Sequence, residues 1–222
     1  MEIEVNGVKL YYEVKGVGKP LIMVHGNGED HTIFDVAVSL LQFYFTCYVF
    51  DTRGHGQSSK VSEFHYQDMA DDYKEVIQKL NLKEVTFYGF SDGGIIGLLI
   101  ASQSDLISNL IISGANITTN GVKKWMKNLI KVMNFFKKDP LMELMLKEPN
   151  IPVDELEKIQ CPTLVLAGSK DLILESETRK IAEHIPGSKC TIVEGEGHGS
   201  YIVHKDRIGE LILEFVKEKE EN

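Results

Sequence analysis

The 222-residue sequence has few cysteines: only Cys47, Cys161 and Cys190, with no Cys-x-x-Cys spacing among them. An odd number of cysteines, each in or beside an apolar strand-like run, argues against a disulfide framework and against a zinc site. We therefore expect three buried, reduced thiols.

Long hydrophobic runs are also missing. No stretch approaches the roughly 20 apolar residues that a transmembrane helix needs. The first residues, MEIEVNGVKLYYEV, lack the basic region, apolar region and small-residue cleavage site of a secretory signal. The sequence therefore predicts a cytoplasmic protein.

Basic side chains are outnumbered, since 24 Lys and Arg residues face 33 Asp and Glu residues for a net charge of −9. Binding to nucleic acid or to an anionic membrane requires a positive field. We expect a small-molecule partner, no nucleic-acid partner and no stable membrane association, with the oligomeric state open.

Cofactor signatures are absent from the sequence. There is no glycine-rich dinucleotide fingerprint, no P-loop and no His-Glu-x-x-His metal motif. No cofactor and no metal ion are implied.

Short apolar runs alternate with helical patterns along most of the chain, after an Asn6-Gly7 signal for an opening β-hairpin. This rhythm predicts an α/β fold, with a mainly parallel twisted sheet and helices on both faces. The last residues, 217–222, read as a charged fray. The strand candidates are 21–24, 45–51, 84–89, 106–115, 161–171 and 190–198, and the helix candidates are 32–41, 69–82, 175–185 and 206–219.

One segment, residues 118–159, is far longer than a single crossover helix requires. It predicts a short helical cap inserted between two parts of a core, residues 1–117 and 160–222. The segment offers two short amphipathic helices, the first with lysines opposite an apolar stripe. The stripe comprises Trp125, Leu129, Val132, Met133 and Phe136.

Two interpretations of this first cap helix stay open. It is either a solvated face over a core stripe, or a lid whose methionine and aromatic side chains line a substrate entrance. On the second interpretation the substrate-binding residues are Trp125, Met126, Leu129 and Phe136.

Residues 89–93, Gly-Phe-Ser-Asp-Gly, stand between a β-rich run and a helix-compatible run. The pattern fits G-x-S-x-G, a sharp turn that presents a serine above a parallel sheet. Ser and Asp are also favoured helix N-cap residues. Ser91 is therefore a candidate nucleophile that can equally be a cap.

A serine nucleophile needs a histidine base and an acid that orients it. His198 follows the run 190–197 and lies between two glycines, whereas His184 and His204 belong to helix patterns where solvated or capping roles are expected. Asp171 closes the strand candidate at 161–171 and is the candidate acid, with an N-cap role near Leu172 as the alternative.

The oxyanion of such a reaction needs backbone donors. The glycine-rich segment His-Gly-Asn-Gly, residues 25–28, follows a strand candidate and makes the N–H of Asn27 one donor. The N–H of Asp92, at the start of a helix, is the second. The alternative for residues 25–28 is a plain tight loop.

Five segments now stand in a recognisable order: VHGNG (24–28), DTRGHGQSS (51–59), GFSDGG (89–94), AGSKD (167–171) and GEGHGS (195–200). They resemble the α/β-hydrolase superfamily, most of all its small bacterial esterase, lipase and C–C-bond hydrolase branch. The resemblance implies that Ser91 is the nucleophile, Asp171 the acid and His198 the base. It also implies an oxyanion hole of Asn27 and Asp92 amides, and a structural turn at Asp51–Ser58.

The resemblance implies a serine hydrolase acting on a small or medium carboxylic ester, thioester or related acyl compound. Perhydrolase and C–C hydrolase chemistry fit the same three residues. From a different class, a ligand sensor or partner-binding protein with a retained triad stays open.

The chain departs from the family pattern in its short cap and in Asp92, where an apolar or amide side chain often follows the nucleophile. The Asp92 carboxylate either repels anionic substrates or turns away and supports the helix N-terminus. We expect the second.

Overall fold

A computed structural model describes residues 1–220 of the chain. Eight strands form one sheet in the order β1-β2-β4-β3-β5-β6-β7-β8. All neighbours from β4 to β8 across the sheet pair in parallel, while β1 and β2 form an antiparallel hairpin at one edge. The strands are β1 Glu2–Val5, β2 Val8–Lys15, β3 Lys19–Val24, β4 Phe45–Phe50, β5 Val85–Phe90, β6 Ile107–Ser113, β7 Thr163–Gly168 and β8 Lys189–Val193.

The opening hairpin forms as its sequence predicts. Asn6 and Gly7 both have positive φ, at 44° and 77°, and Val5 pairs with Val8 across the turn. Such a turn matches the right-handed twist of the two strands, which explains the preference for Asn-Gly.

Helices cover both faces of the sheet. They are α1 Asp35–Leu41, α2 Tyr66–Lys79, α3 Asp92–Gln103, α4 Lys124–Lys137, α5 Pro140–Lys147, α6 Val153–Leu156, α7 Glu175–His184 and α8 Arg207–Glu220. The predicted α/β class, with a mainly parallel sheet between helical layers, is confirmed.

Two helix boundaries differ from those predicted. The segment from His31 to Phe34 is a 3₁₀ turn, because the Asp30 side chain accepts the Thr32 N–H, and α1 starts only after it. At the other end α8 continues through residues expected to fray, with Lys217 over the Tyr44 ring at 5.2 Å. The last two residues of that predicted fray lie outside the described residues.

Two hydrophobic clusters fill the two faces of the sheet. Neighbouring residues on β5 point into different clusters: Phe87 packs with Tyr73 of α2 in one, and Tyr88 with Phe34 in the other. A strand buried on both faces needs a continuous apolar run rather than an alternating one. That requirement explains the run from Val85 to Tyr88.

Helix α3 lies at the centre of the molecule and is buried on nearly all sides. Its glycines and aliphatic residues fit between the sheet and α2, so it has no polar face. Nowhere in residues 1–220 is there a helix with the length and apolar character that crossing a bilayer would require.

All three cysteines are free thiols, as expected. Only Cys47 is buried, however, and the expectation that the others are buried is wrong. Cys161 precedes β7, and Cys190 lies on the edge strand β8, whose side chains are half-buried because no further strand covers them.

The segment 118–159 connects β6 to β7 and contains a 3₁₀ turn (Thr119–Gly121) followed by α4, α5 and α6. Asp139 caps α5 by accepting the Leu141 N–H, and Pro140 takes the first helical position. No residue of α4 is buried, so its apolar stripe is not a core stripe.

Candidate active site

The predicted functional residues follow the carboxyl ends of neighbouring parallel strands. In the order β3-β5-β7-β8, with β6 lying between β5 and β7, these ends lead into Asn27, Ser91, Asp171 and His198. Carboxyl ends of parallel strands share one edge of the sheet, where open α/β proteins bind ligands. The topology therefore brings together residues that are up to 171 positions apart in sequence.

Ser91 lies on a sharp turn between β5 and α3, with φ 53° and ψ −112°. Only glycine allows this close approach: a Cβ at Gly89 would lie 2.1 Å from the Gly93 carbonyl oxygen, and one at Gly93 2.2 Å from the Val24 carbonyl oxygen. Ser91 occupies the N-cap position, yet its side chain makes no capping hydrogen bond. The hydroxyl is thus available to another partner.

That partner is His198. Its Nε2 lies 3.1 Å from Ser91 Oγ, and its Nδ1 lies 2.6 Å from Asp171 Oδ1. With Nδ1–H donating to the carboxylate, Nε2 is free to accept the serine proton. The structure therefore places the three predicted residues, Ser91, His198 and Asp171, in one hydrogen-bonded chain.

Asp171 is buried, and burial alone favours its neutral form. The hydrogen bond and charge of His198, with the N–H groups of Ile173 and Gly168, outweigh that effect and lower the pKa of Asp171. The carboxylate is therefore ionised beside the imidazole. Its contact with the Ile173 N–H also makes it the local cap that the alternative interpretation described.

Gly114 makes room for this pair at the end of β6. It has φ +62°, and a Cβ there would lie 2.8 Å from His198 Cε1 and 2.9 Å from His198 Nδ1. Sequence reasoning missed this glycine. The available signal was a glycine directly after a strand, which marks close approach of another chain segment.

Asn27 and Asp92, whose N–H groups are the predicted oxyanion donors, line the same cavity as Ser91 and His198. Neither the Asn27 N–H nor the Asp92 N–H donates to another of the described residues. Asp92 begins α3, so its N–H has no partner within the helix and carries the positive end of the helix dipole.

The Asp92 side chain is buried in the cavity wall. Its Oδ2 accepts from Asn27 Nδ2 at 3.0 Å and its Oδ1 accepts from the Tyr66 hydroxyl at 2.8 Å. Burial raises the pKa of Asp92 despite these two donors. The expectation that this carboxylate turns away toward the helix N-terminus is wrong, because the Asn27 amide and Tyr66 draw it toward the cavity.

Two histidines fix the loop that carries Asn27. His55 Nε2 accepts the Gly28 N–H at 3.1 Å, and His25 Nε2 accepts the Thr52 N–H at 3.1 Å. Burial lowers the pKa of His25 to about 4, so both of its nitrogens serve in the neutral form. The turn at Asp51–Ser58 thus packs against the loop of the proposed oxyanion hole.

The cavity above these residues has a volume of about 290 Å³. Its walls are mostly apolar, and four methionines give them an adaptable shape. The methionines are Met126, Met133, Met142 and Met145. The polar lining residues include Ser91, His198, Asn27 and Glu29.

Of the four predicted substrate-binding residues, Met126 lines this cavity. Trp125, Leu129 and Phe136 do not, and their side chains are 57%, 45% and 78% exposed. Helical register separates the two sets, because Met126 faces inward while the others lie on the outer side of α4. Periodicity alone could not tell which side would face the core.

Glu29 is a cavity residue that sequence reasoning missed. Its Oε2 accepts the Gly26 N–H at 3.0 Å, and a Cβ at Gly26 would touch both this oxygen and Ser91 Cβ. Burial raises the pKa of Glu29, and the Gly26 hydrogen bond offsets this only in part. Nothing in the sequence distinguishes this acid from its neighbour Asp30.

One group in the described part of the chain has the spacing of a metal site: Asp30, His31 and Asp51. Its oxygens already accept backbone hydrogen bonds, since Asp51 Oδ1 takes the His31 N–H and Asp51 Oδ2 takes the Gln57 N–H. These contacts give the group a structural role at the start of the 3₁₀ turn.

A model of the alpha/beta hydrolase fold family matches residues 19–143, more than half of the chain. The serine hydrolase BPHL of Mus musculus is 27% identical, over 97% of this chain and 86% of that protein. Among solved structures, the esterase EaEST from Exiguobacterium antarcticum is 26% identical with a TM-score of 0.79, covering 96% of this chain and 97% of that one.

The enol-lactonase from Burkholderia xenovorans LB400 superimposes with a TM-score of 0.81 over 98% of this chain and 100% of that one. At 19% identity this likeness shows a shared fold.

Proposed function

Because the chain belongs to the α/β-hydrolase fold family, we propose that it is a serine hydrolase of small or medium carboxylic esters, thioesters or related acyl compounds. The observation that carries the proposal is the hydrogen-bonded chain from Ser91 Oγ through His198 to Asp171. Two unengaged backbone N–H groups beside it support the same chemistry.

In the first half of the reaction, His198 Nε2 takes the Ser91 proton as Oγ attacks the acyl carbon. The negative oxygen of the tetrahedral intermediate accepts hydrogen bonds from the Asn27 and Asp92 N–H groups. His198 then gives its proton to the leaving group, and an acyl-Ser91 ester remains.

In the second half, His198 removes a proton from water, which attacks the same acyl carbon. The intermediate collapses, Ser91 Oγ recovers its proton and the carboxylic acid leaves. Asp171 stays ionised throughout and stabilises the imidazolium that forms twice in each cycle.

The size and lining of the cavity support the proposed acyl range. A volume of about 290 Å³ is at the lower end for small-molecule sites. Its methionine walls can adapt to different acyl chains without specific hydrogen bonds. We further propose that residues 118–159 act as a short cap, since α4 and α5 supply these methionines.

The test combines labelling with turnover. A fluorophosphonate should label the folded wild-type chain and the exposed-serine control Ser39→Ala, but not Ser91→Ala. On a panel of esters and thioesters, Ser91→Ala should lose at least about a thousandfold in kcat. Asp171→Asn should lose most of kcat with little change in KM, because the amide carries no charge to stabilise the imidazolium and its NH₂ group can hold the wrong imidazole tautomer.

A folded wild-type chain that resists labelling would overturn the proposal. Binding of acyl compounds without turnover would instead favour the ligand-sensor alternative. Varying the acyl length on one leaving group, then the leaving group on one acyl chain, separates esterase from thioesterase activity. The cytoplasmic location stays a prediction.

A further inference from the structure

The outer face of α4 is unusually apolar for an exposed surface. Ten large apolar side chains in the described part of the chain are exposed, and half of them lie on this helix of 14 residues. They are Trp125, Leu129, Val132, Phe135 and Phe136. Phe135 and Phe136 are each 78% exposed, with their rings packed edge to face at 5.3 Å.

The cavity does not account for this face. The side chains through which α4 lines the cavity are others: Met126, Ile130 and Met133. Since α4 buries none of its residues, the outer side chains serve no core either. A contiguous apolar patch of this kind marks a surface that binds something.

The charge on the same segment is strongly positive, in contrast with the chain as a whole. Residues 123–138 contain six lysines and no acid, whereas the full chain has a net charge of −9. None of these lysines forms an ion pair with any described residue; Lys127 donates to Thr119 and Asn120 instead. The lysines are Lys123, Lys124, Lys127, Lys131, Lys137 and Lys138.

We propose that α4 is an interfacial helix that docks on an anionic lipid surface. Aromatic side chains on one face and lysines on the opposite, polar face are the pattern of a helix that lies in the plane of a membrane interface. The lysines meet acidic headgroups while Trp125, Phe135 and Phe136 enter the boundary with the acyl chains.

The net charge of the chain does not prevent this docking. Screening limits electrostatic interactions to about 8–10 Å at physiological salt, so a local cluster of lysines acts on a nearby surface largely by itself. A second copy of the chain is a poorer fit. A two-fold interface through α4 would bring together two copies of the same basic segment, with no acid in residues 123–138 to offset the charge.

Trp125 gives a direct test because it is the only tryptophan in the chain. Its emission should shift to the blue with vesicles of phosphatidylcholine containing about a third phosphatidylglycerol, and much less with phosphatidylcholine alone. Raising the salt concentration should reverse most of the shift, since the docking depends on exposed charges.

Two variants separate the apolar and charged contributions, each with a matched control. Phe135→Ser/Phe136→Ser and Lys124→Glu/Lys131→Glu should each weaken vesicle partitioning at least about tenfold. Phe43→Ser, at a ring that is 77% exposed elsewhere, and Lys83→Glu should leave it unchanged. Circular dichroism checks that every variant is folded.

Three results would overturn the proposal. The first is an emission spectrum that does not respond to anionic vesicles. The second is a blue shift without vesicles that grows with protein concentration, which would identify a second copy as the occupant. The third is an equal loss of partitioning in the control variants, which would show that no specific face is involved.

Discussion

At the scale of single residues, the Asp92 carboxylate links Asp92 to Asn27. The backbone amides of these two residues are proposed to bind the oxyanion. One of its oxygens accepts from the Asn27 side chain and the other from Tyr66. A carboxylate held in this way sets the distance between the Asn27 loop and the start of α3. Burial of the carboxylate disfavours its charged form and so raises the pKa of Asp92.

Asn27→Ala tests this link, because it removes the side-chain hydrogen bond and keeps the backbone N–H. We expect kcat to fall about tenfold with little change in KM, since only stabilisation of the transition state is lost. Tyr66→Phe, which leaves the Asn27 contact in place, should cost less than about threefold. Steady-state kinetics on one ester decide, and an Asn27→Ala enzyme with wild-type kcat would show that the link is not needed.

The sequence could predict the positions of Ser91, Asp171 and His198, because each stands in a short segment that follows a strand. It could not predict the contacts of Glu29 or Tyr66. Those contacts depend on side chains that reach across the loop or from α2, and no local spacing encodes them. The prediction of where the Asp92 carboxylate points failed for the same reason, since its partners come from elements that are distant in sequence.

At the scale of elements, the turn after β6 shapes the site without supplying a reacting group. Gly114 has a positive φ and faces the His198 ring. A glycine is needed there for two separate reasons: the backbone conformation and the space for the imidazole.

Gly114→Ala separates these two reasons when it is compared with Gly187→Ala. Gly187 has a similar φ of +70°, but a Cβ there would have nothing within 4 Å. Both variants should lose about 1 kcal/mol of unfolding free energy from the strained backbone. Only Gly114→Ala should also lose activity, at least about tenfold in kcat, because the new methyl displaces His198. Denaturant unfolding and ester kinetics on both variants check this, and equal activities would contradict it.

Helix α4 shows what periodicity can predict for an element. The 3.6-residue pattern was sufficient to predict a helix and an apolar stripe in the cap segment. It could not assign the stripe to core, cavity or surface, because α4 is apolar on both its inner and its outer side. Tertiary placement decided that Met126 faces the cavity and Trp125 faces outward.

At the scale of the whole molecule, the resemblance to the α/β-hydrolase superfamily is confirmed by the matching family model and the sheet order. The order of five motifs along the chain carried that inference, since each motif follows a strand of a fixed topology.

The same edge of the sheet also collects buried titratable groups, which have opposite effects on the stability of the folded chain in acid. Burial raises the pKa of Glu29 and Asp92, so the folded state holds their protons more tightly and gains stability as the pH falls.

His25 acts in the other direction. Its pKa in the folded chain is about 4, below the ordinary value of 6.5. Between these two pH values the imidazole is protonated in the unfolded chain and neutral in the folded chain. Stability from neutral His25 is complete above about pH 6.5 and is lost as the pH falls toward 4. The pH dependence of the wild-type chain is therefore a sum of opposing contributions, and only a comparison with a variant isolates His25.

His25→Asn should be less stable than the wild type at pH 7, because the Thr52 N–H loses the Nε2 atom that accepts it. As the pH falls to about 4, the difference in unfolding free energy should shrink by about 3 kcal/mol, since keeping a buried imidazole neutral costs free energy only in the wild type. Urea unfolding of both proteins at several pH values between 4 and 7 measures the difference, in which Glu29 and Asp92 largely cancel. A deficit that stays constant across this range would mean that His25 accepts its proton in the folded chain, and that the loop carrying Asn27 tolerates the charge.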